Sequence, residues 1–203
     1  MKVLTTLIVS SLLVFSLKAQ IADKKAFADS IRVFQQRYKA THEVVRGKDR
    51  AYFRFFQPNA DMAVLCVFEK INDTATVTIK TSGKKIPEKY FYRYGYLKFS
   101  IHDTVQQLTI YQSKDLSRNP IYKNYLFIPF TDATTGIESY GSGRYIDLDA
   151  RDIKGTYYFL DFNKAYNPYC AYSNNYNCPI PPKENNLKVA ITAGEKKFAK
   201  KVH

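Results

Sequence analysis

Two successive patterns of apolar and polar residues divide the chain into a helical N-terminal part and a β domain. Between residues 24 and 41, apolar side chains recur at helical spacing among polar ones, at Phe27, Ile31, Phe34 and Tyr38. We therefore predict an amphipathic helix and a polar connector within residues 20–50. The apolar stripe of this helix is expected to pack against the rest of the protein.

From residue 51 onward the apolar period falls to two, as it does in β-strands. The run 63–68 is apolar throughout, which is typical of a strand covered on both faces. The HDTV segment around Asp103 joins two alternating segments into a predicted hairpin. The predicted strands are 53–56, 63–68, 74–81, 96–101, 107–111, 126–130, 144–148, 157–162 and 187–192. Their spacing predicts a mainly β fold, a single-domain β-sandwich or open barrel at residues 51–197.

The first nineteen residues have the features of a secretory signal peptide. Lys2 supplies a positive charge, residues 3–17 are apolar, and Ala19 precedes an expected cleavage site before Gln20. The apolar run is too short for a transmembrane helix. We therefore expect an exported protein, periplasmic or secreted, that is not an integral membrane protein.

The chain is strongly basic. Its formal net charge is +13, and loss of the two positive charges of Lys2 and Lys18 with the signal peptide would leave +11. An ordinary solvated face is the favoured explanation of this balance; the alternative is contact with an anionic envelope surface, and no specific nucleic acid is implied. The densest basic run, at 194–203, is interpreted as frayed, with a basic tail at 198–203.

The segment 161–185 is the least regular part of the chain. Proline and asparagine interrupt it so often that neither a helix nor a central strand is expected there. Loops of this length in compact domains are usually functional or held in place. Cys170 and Cys178 lie within it and are predicted to form a disulfide, whereas Cys66 is predicted to be a small buried apolar residue.

The predicted strand 144–148 sorts its polar residues by face. Arg144 shares a face with the apolar residues of the strand, whereas Tyr145 and Asp147 point the other way. A buried guanidinium needs a carboxylate partner, and we expect Asp161 to provide it. This pair could hold the fold together, or Arg144 could bind an anion.

Catalytic and metal chemistry find little support in the sequence. None of the three histidines lies in a pattern that suits a nucleophilic triad or a zinc site, and the glycines at 141 and 143 match no phosphate-binding loop. We therefore predict no metal and no cofactor. Four carboxylates remain that could support a hydrolase: Glu138, Asp147, Asp161 and Glu184.

Several motifs make the chain from about residue 53 to 197 resemble a bacterial family known only as domain-of-unknown-function family 1684. They are YGYLKF (94–99), YQS (111–113), YLFIPFTDATTG (125–136), ESYGSGRYIDL (138–148), DFNKAYNPYCAY (161–172), CPIPPKENNL (178–187) and AGEK (193–196). The resemblance implies a single, mainly β domain, and it brings neither a reaction nor a ligand.

We favour a non-catalytic function, the binding of a polar small molecule or glycan in a tyrosine-rich pocket, since tyrosine and asparagine suit polyols. The candidate binding residues are Arg144, Tyr145, Asp147, Asp161, Asn163, Tyr166, Asn167, Tyr172 and Glu184. The alternatives are a carboxylate-dependent hydrolase and a structural envelope protein.

Overall fold

The computed structural model describes residues 23–83 and 88–200. The predicted signal peptide at 1–19 and the last three residues of the predicted tail lie outside these ranges. The helix α1 (Lys24–Thr41) fills the predicted helical segment. Asp23 begins it by accepting hydrogen bonds from two backbone amides of the first turn. Ile31 of the apolar stripe is buried, which confirms the predicted packing role of the helix.

A single antiparallel sheet forms the body of the domain. Its strands are β1 (Ala63–Lys70), β2 (Thr76–Lys80), β3 (Glu88–Ile101), β4 (Thr104–Ser113), β5 (Tyr125–Phe130), β6 (Arg144–Asp149) and β7 (Tyr157–Asp161). Six of the seven strands follow the order β6-β5-β4-β3-β1-β7, and the seventh, β2, pairs with the first part of β3. The sheet curls into a half-barrel, which confirms the mainly β fold and selects the open barrel over the sandwich.

Short 3-10 helices fill much of the chain between the strands. They span Gly47–Tyr52, Ala60–Met62, Leu116–Arg118, Ala150–Asp152, Phe162–Lys164, Tyr169–Ala171 and Lys183–Asn185. The last three lie in segment 161–185. After Asp161, which ends β7, this segment contains no α-helix and no strand, as its composition predicts.

The predicted hairpin forms between β3 and β4. His102 and Asp103 are its two turn residues, and both have positive φ, at 47° and 58°. This conformation matches the right-handed twist of the flanking strands. The prediction is confirmed.

A bulge in β3 changes which face of the sheet its odd-numbered residues occupy. Arg93 pairs with Tyr111 and Gly95 pairs with Ile110, so Tyr94 is an extra residue in the strand. Because strand side chains alternate, this insertion moves the odd-numbered residues from one face to the other. As a result β3 contributes to two separate apolar clusters.

The main core covers one face of the sheet. Its buried residues from the strands include Leu97, Phe99, Leu108, Ile110, Leu126, Ile128, Ile146 and Leu148. Leu187, Ile191 and Ala193 of the C-terminal segment close the core from the other side. The second cluster lies on the opposite face and contains Ile79, Phe91, Tyr111, Phe127 and Tyr145.

Arg144 ties the C-terminal segment to the sheet. Its fully buried guanidinium donates to the Asp132 carboxylate at 2.9 Å and to the carbonyl of Ile191 at 2.8 Å. It also donates to the carbonyls of Ala193 and Glu195. The predicted strand at 187–192 is wrong, because no strand forms there: Leu187 N and Val189 O bond to the backbone of Thr131 and Ala133, and Ile191 O accepts from Arg144.

The predicted pairing of Arg144 with Asp161 is also wrong, because Asp132 is the partner. Asp161 instead caps the 3-10 helix Phe162–Lys164, accepting from the amide and side chain of Asn163. The pairing of β5 with β6 explains why Asp132, and not Asp161, is the partner of Arg144. Phe130 lies opposite Arg144, which brings Asp132 next to the guanidinium. Treating strands 126–130 and 144–148 as a hairpin would have indicated this pair from the sequence.

Three further expectations need correction. Leu65 and Val67 of β1 are each 39% exposed, so this strand is covered on one face and not on both. The predicted strand at 53–56 makes only one bridge among the described residues, between Phe55 and Glu195. Phe198 packs against surrounding aromatic rings and Glu195 is fully buried, so residues 194–198 are not frayed.

Candidate functional site

The second face of the sheet forms the floor of a cleft of about 1010 Å³. The floor comes from β3, β4, β5 and β6, one wall from the end of α1, and the other wall from loop 164–179. Aromatic side chains dominate the lining: Phe34, Tyr38, Phe91, Tyr125, Phe127, Tyr145, Tyr166, Tyr169 and Tyr176. The stripe of α1 therefore has two roles, since Phe34 and Tyr38 also face the cleft.

Asp147 lies on the floor of this cleft. Its Oδ1 accepts hydrogen bonds from the hydroxyls of Tyr166 at 2.6 Å and Tyr125 at 2.8 Å. Its Oδ2 has no hydrogen-bond partner within residues 23–83 and 88–200. Tyr145 and Asp147 face away from Arg144 as the strand alternation predicts, and the cleft brings them together with Tyr166.

Burial sets the protonation behaviour of this group of side chains. Water reaches Asp147 from the cleft, yet protein atoms surround it elsewhere, and this desolvation raises the pKa of its carboxyl above the ordinary value. The hydrogen bonds from Tyr166 and Tyr125 partly offset that rise. Desolvation also raises the pKa of both tyrosines, so their hydroxyls stay protonated and act as donors to Asp147.

The disulfide Cys170–Cys178 is present and closes the loop that forms one wall. Cys66 is a free, buried thiol, and desolvation raises its pKa to about 12. Both cysteine predictions are therefore confirmed. The Tyr145 hydroxyl donates to the carbonyl of Pro179, which joins the floor directly to the disulfide loop.

A buried carboxylate, Glu195, holds the wall on the side of α1. Its oxygens accept hydrogen bonds from the Tyr172 hydroxyl at 2.7 and 2.8 Å, the Asn167 amide at 2.9 Å and the Tyr38 hydroxyl at 3.3 Å. Desolvation raises the pKa of Glu195 to about 7, against the opposing effect of these donors. Tyr172 and Asn167 thus contact Glu195 and do not line the cleft.

His42 ends α1 and lines the cleft beside this cluster. Its Nδ1 accepts from the amides of Val44 and Val45, so the proton of the neutral ring is on Nε2. That nitrogen is buried and has no hydrogen-bond partner in the described chain. Desolvation lowers the pKa of His42 to about 4, so the ring is neutral at pH 7.

The other predicted site residues lie outside the cleft lining. The side chain of Asn163 exchanges hydrogen bonds with the backbone of Asn59, both at 2.8 Å. Glu184 accepts from the Tyr111 hydroxyl at 2.7 Å and pairs with Arg93 on a partly exposed surface. Of the four carboxylates suggested for a hydrolase, Asp147 lines the cleft, whereas Glu138, Asp161 and Glu184 do not.

Two important residues were missed as candidates. Tyr125 faces the cleft because it alternates with Leu126 at the start of β5, a signal that strand pairing would have provided. Asn185 is fully buried and bonds Thr109 N and O and Pro129 O at 2.7 to 2.9 Å. It bridges β4 and β5, which pair directly only at Tyr111 and Phe127.

The charges around the cleft differ from those of the whole chain. Among the described residues, the lining has three carboxylates, Glu43, Asp115 and Asp147, and two ammonium groups, Lys89 and Lys164. The described part of the chain has no group of three or more His, Cys, Asp or Glu side chains placed to hold a metal ion. It also contains no helix that is long and apolar enough to cross a membrane.

Comparisons with known proteins identify a family and a structural relative, both without an assigned activity. The chain is similar to the solution NMR structure of the uncharacterized protein from gene locus rrnAC0354 of Haloarcula marismortui, at 27% identity and a TM-score of 0.63. That match covers 87% of this chain and 97% of the other. No curated protein matches the chain. The model of the family described as "Protein of unknown function (DUF1684)" matches residues 51–196, and the chain belongs to that family.

Proposed function

We propose that this is an exported, non-catalytic binding protein whose tyrosine-lined cleft takes a polar small molecule or a glycan. One observation carries the proposal: Asp147 offers a carboxylate oxygen without a partner at the floor of a large aromatic cleft. Binding pockets combine apolar walls with a few placed polar groups in this way. Tyrosine rings can stack on sugar faces while their hydroxyls remain available for hydrogen bonds.

The walls of the cleft are fixed before any ligand arrives, which favours a binding role. The disulfide closes one wall, and the Glu195 hydrogen bonds join the other wall to the C-terminal segment. Preformed walls reduce the ordering cost of binding.

The experiment is a ligand screen followed by mapping. Sugars, polyols and small amines are tested by thermal shift, and each hit is titrated into labelled protein while backbone and tyrosine NMR signals are followed. We expect shifts to concentrate at Phe127, Tyr145 and Tyr166. Tyr166→Phe should weaken binding by about tenfold, since it removes a hydroxyl from Asp147.

Tyr157→Phe is the matched control, because Tyr157 is exposed on β7 and does not line the cleft. Its affinity should equal that of the unsubstituted protein. Ligands that shift the NMR signals only of residues outside the cleft would contradict the binding role of this site. Hydrolysis of a hit, lost in Asp147→Asn, would replace the binding function with a catalytic one.

Export rests on the sequence of residues 1–19 and is compatible with a disulfide, which persists in oxidising compartments. Expression of the full chain with its N-terminal segment, followed by fractionation and intact-mass measurement, tests it. We expect mature protein beginning at Gln20 outside the cytoplasm. Retention of the uncleaved chain in the cytoplasm would contradict export.

A further inference from the structure

The hydroxyl protons of the three tyrosines on the floor near Asp147 are all engaged within the protein. Tyr125 and Tyr166 both direct their protons to Asp147 Oδ1, and Tyr145 directs its proton to the carbonyl of Pro179. What remains open on these groups is Asp147 Oδ2 and the lone pairs of the tyrosine oxygens. A ligand that binds to Asp147 and these tyrosine oxygens must therefore supply the hydrogen-bond donors.

The floor also has a negative charge without a cationic partner. Asp147 makes no ion pair with any residue in ranges 23–83 and 88–200. Lys89 and Lys164 line the cleft, but neither contacts this carboxylate within salt-bridge distance. The described lining thus has one more negative than positive charge, within a chain of net charge +13. Asp147 is exposed to the cleft, so a cation that also donates hydrogen bonds can reach this carboxylate and pair with it.

Aromatic rings stand next to this carboxylate. The ring centroids of Tyr145 and Tyr166 are 5.9 Å apart and edge-on, and those of Phe127 and Tyr145 are 5.6 Å apart with the same geometry. Rings that meet at large angles form walls in different planes, as in the aromatic cages that bind substituted ammonium groups. Ring faces attract such cations through their quadrupole.

We propose that the ligand of this cleft carries an ammonium group, a primary or methylated amine, that binds between Asp147 Oδ2 and the rings of Tyr125, Tyr145 and Tyr166. This inference rests on the proposed binding function and narrows its ligand class. A neutral polyol can donate hydrogen bonds to the same oxygen, but it leaves the negative charge of Asp147 uncompensated. An anionic ligand at this position would be repelled by the negative charge of Asp147 and would find no free hydroxyl proton on Tyr125, Tyr145 or Tyr166.

Matched pairs of probes separate the effect of ligand charge on affinity from the effect of ligand shape. Glucosamine is compared with glucose, and choline is compared with 3,3-dimethyl-1-butanol, in which carbon replaces the quaternary nitrogen. Isothermal titration at pH 7 and low salt should show the cationic member binding about tenfold or more tightly in at least one pair. Higher salt should narrow that difference.

Asp147→Asn should remove the preference for the cationic member, because it keeps the size of the side chain and loses its charge. Asp61→Asn is the matched control: Asp61 is exposed, accepts no side-chain hydrogen bond among the described residues, and does not line the cleft. This control should keep the preference unchanged. The probe comparison uses the unsubstituted protein, so it decides the question even if Asp147→Asn fails to fold.

The outcomes distinguish this inference from the function on which it rests. Equal or tighter binding of the neutral members, with NMR shifts in the cleft, would overturn the ammonium inference and leave the binding function standing. A preference for the cationic members that survives in Asp147→Asn would also overturn it. If neither these probes nor the wider screen perturbs the cleft, both the binding function and the ligand class are refuted.

Discussion

Glu195 is expected to make the stability of the folded protein fall as the pH rises from about 4.5 to about 7. The carboxyl is fully buried, and burial raises its pKa from 4.5 to about 7. The folded state therefore binds a proton more tightly than the unfolded state does. The resulting stabilisation is complete below pH 4.5, and it is lost as the pH rises through the folded pKa of about 7.

The size of this effect follows from the pKa difference. Each pKa unit corresponds to about 1.4 kcal/mol, so the rise from 4.5 to about 7 corresponds to about 3 kcal/mol of pH-dependent stability. No solvent screening reduces this value, because the carboxylate has no exposed surface. Glu195→Gln removes the titration and keeps the shape: its amide oxygen can accept from Asn167 N, and its NH2 group can donate to the Tyr172 hydroxyl.

The assay is urea unfolding of both proteins at several pH values between 4 and 8.5. The variant should gain about 3 kcal/mol in unfolding free energy relative to the unsubstituted protein between pH 4.5 and 8. His42 acts in the opposite direction, since its pKa is lowered to about 4 and its stabilisation is lost as the pH falls from 6.5. His42 is present in both proteins, so its contribution cancels in the difference.

Glu88→Gln serves as the control, because Glu88 is exposed and its side chain makes no hydrogen bond among the described residues. Its unfolding free energies serve as the reference for a Glu-to-Gln change at an exposed position. A pH-independent difference for Glu195→Gln would refute the reasoning. It would mean that the hydrogen bonds from Tyr38, Tyr172 and Asn167 offset the whole cost of burying the charge.

Two further predictions concern the segments that border the cleft and the core. Asp132→Ala should destabilise the protein by about 3–5 kcal/mol in urea unfolding, because it leaves the guanidinium of Arg144 buried without its carboxylate. A loss below 1 kcal/mol would show that the backbone carbonyls alone can stabilise the buried guanidinium. Replacing both Cys170 and Cys178 by serine should cost about 2–3 kcal/mol through the entropy of the unfolded chain; an unchanged midpoint would contradict that account, and peptide mapping without reduction verifies the bridge.

The sequence predicts the elements better than it predicts their partners. Alternation identifies the strands and places Tyr145 and Asp147 on one face, because that information is local to a few residues. The bulge at Tyr94, in contrast, cannot be predicted from local alternation. Phe91 and Leu97 are both odd-numbered and look equivalent in the sequence, yet they lie in different clusters because the insertion between them moves the later residues to the other face. Only the register with β4 reveals it.

The same distinction explains the errors at 53–56 and 187–192. Their apolar residues satisfy a strand pattern, but their backbone groups are bound by other parts of the protein. At 53–56, Phe56 N donates to Gly194 O and Arg54 O accepts from Lys196 N. At 187–192, Ile191 O accepts from the side chain of Arg144. Buried backbone groups need partners of some kind, and a sequence pattern does not say whether a strand or a side chain will supply them.

The partners of their side chains separate the candidate residues into two groups, and substitutions in the two groups should have different effects. Arg144, Asn163 and Asn167 direct their side chains to backbone groups that lack a strand partner, so their hydrogen-bonding capacity is largely used within the fold. Asp147 differs from them because its unpaired carboxylate oxygen belongs to a side chain exposed in the cleft, whereas the unpaired Arg144 Nε and Asn167 Oδ1 are buried. Substitutions in the first group should therefore alter stability, whereas Asp147→Asn should alter binding at nearly constant stability, and that contrast identifies which of the motif residues serve the ligand.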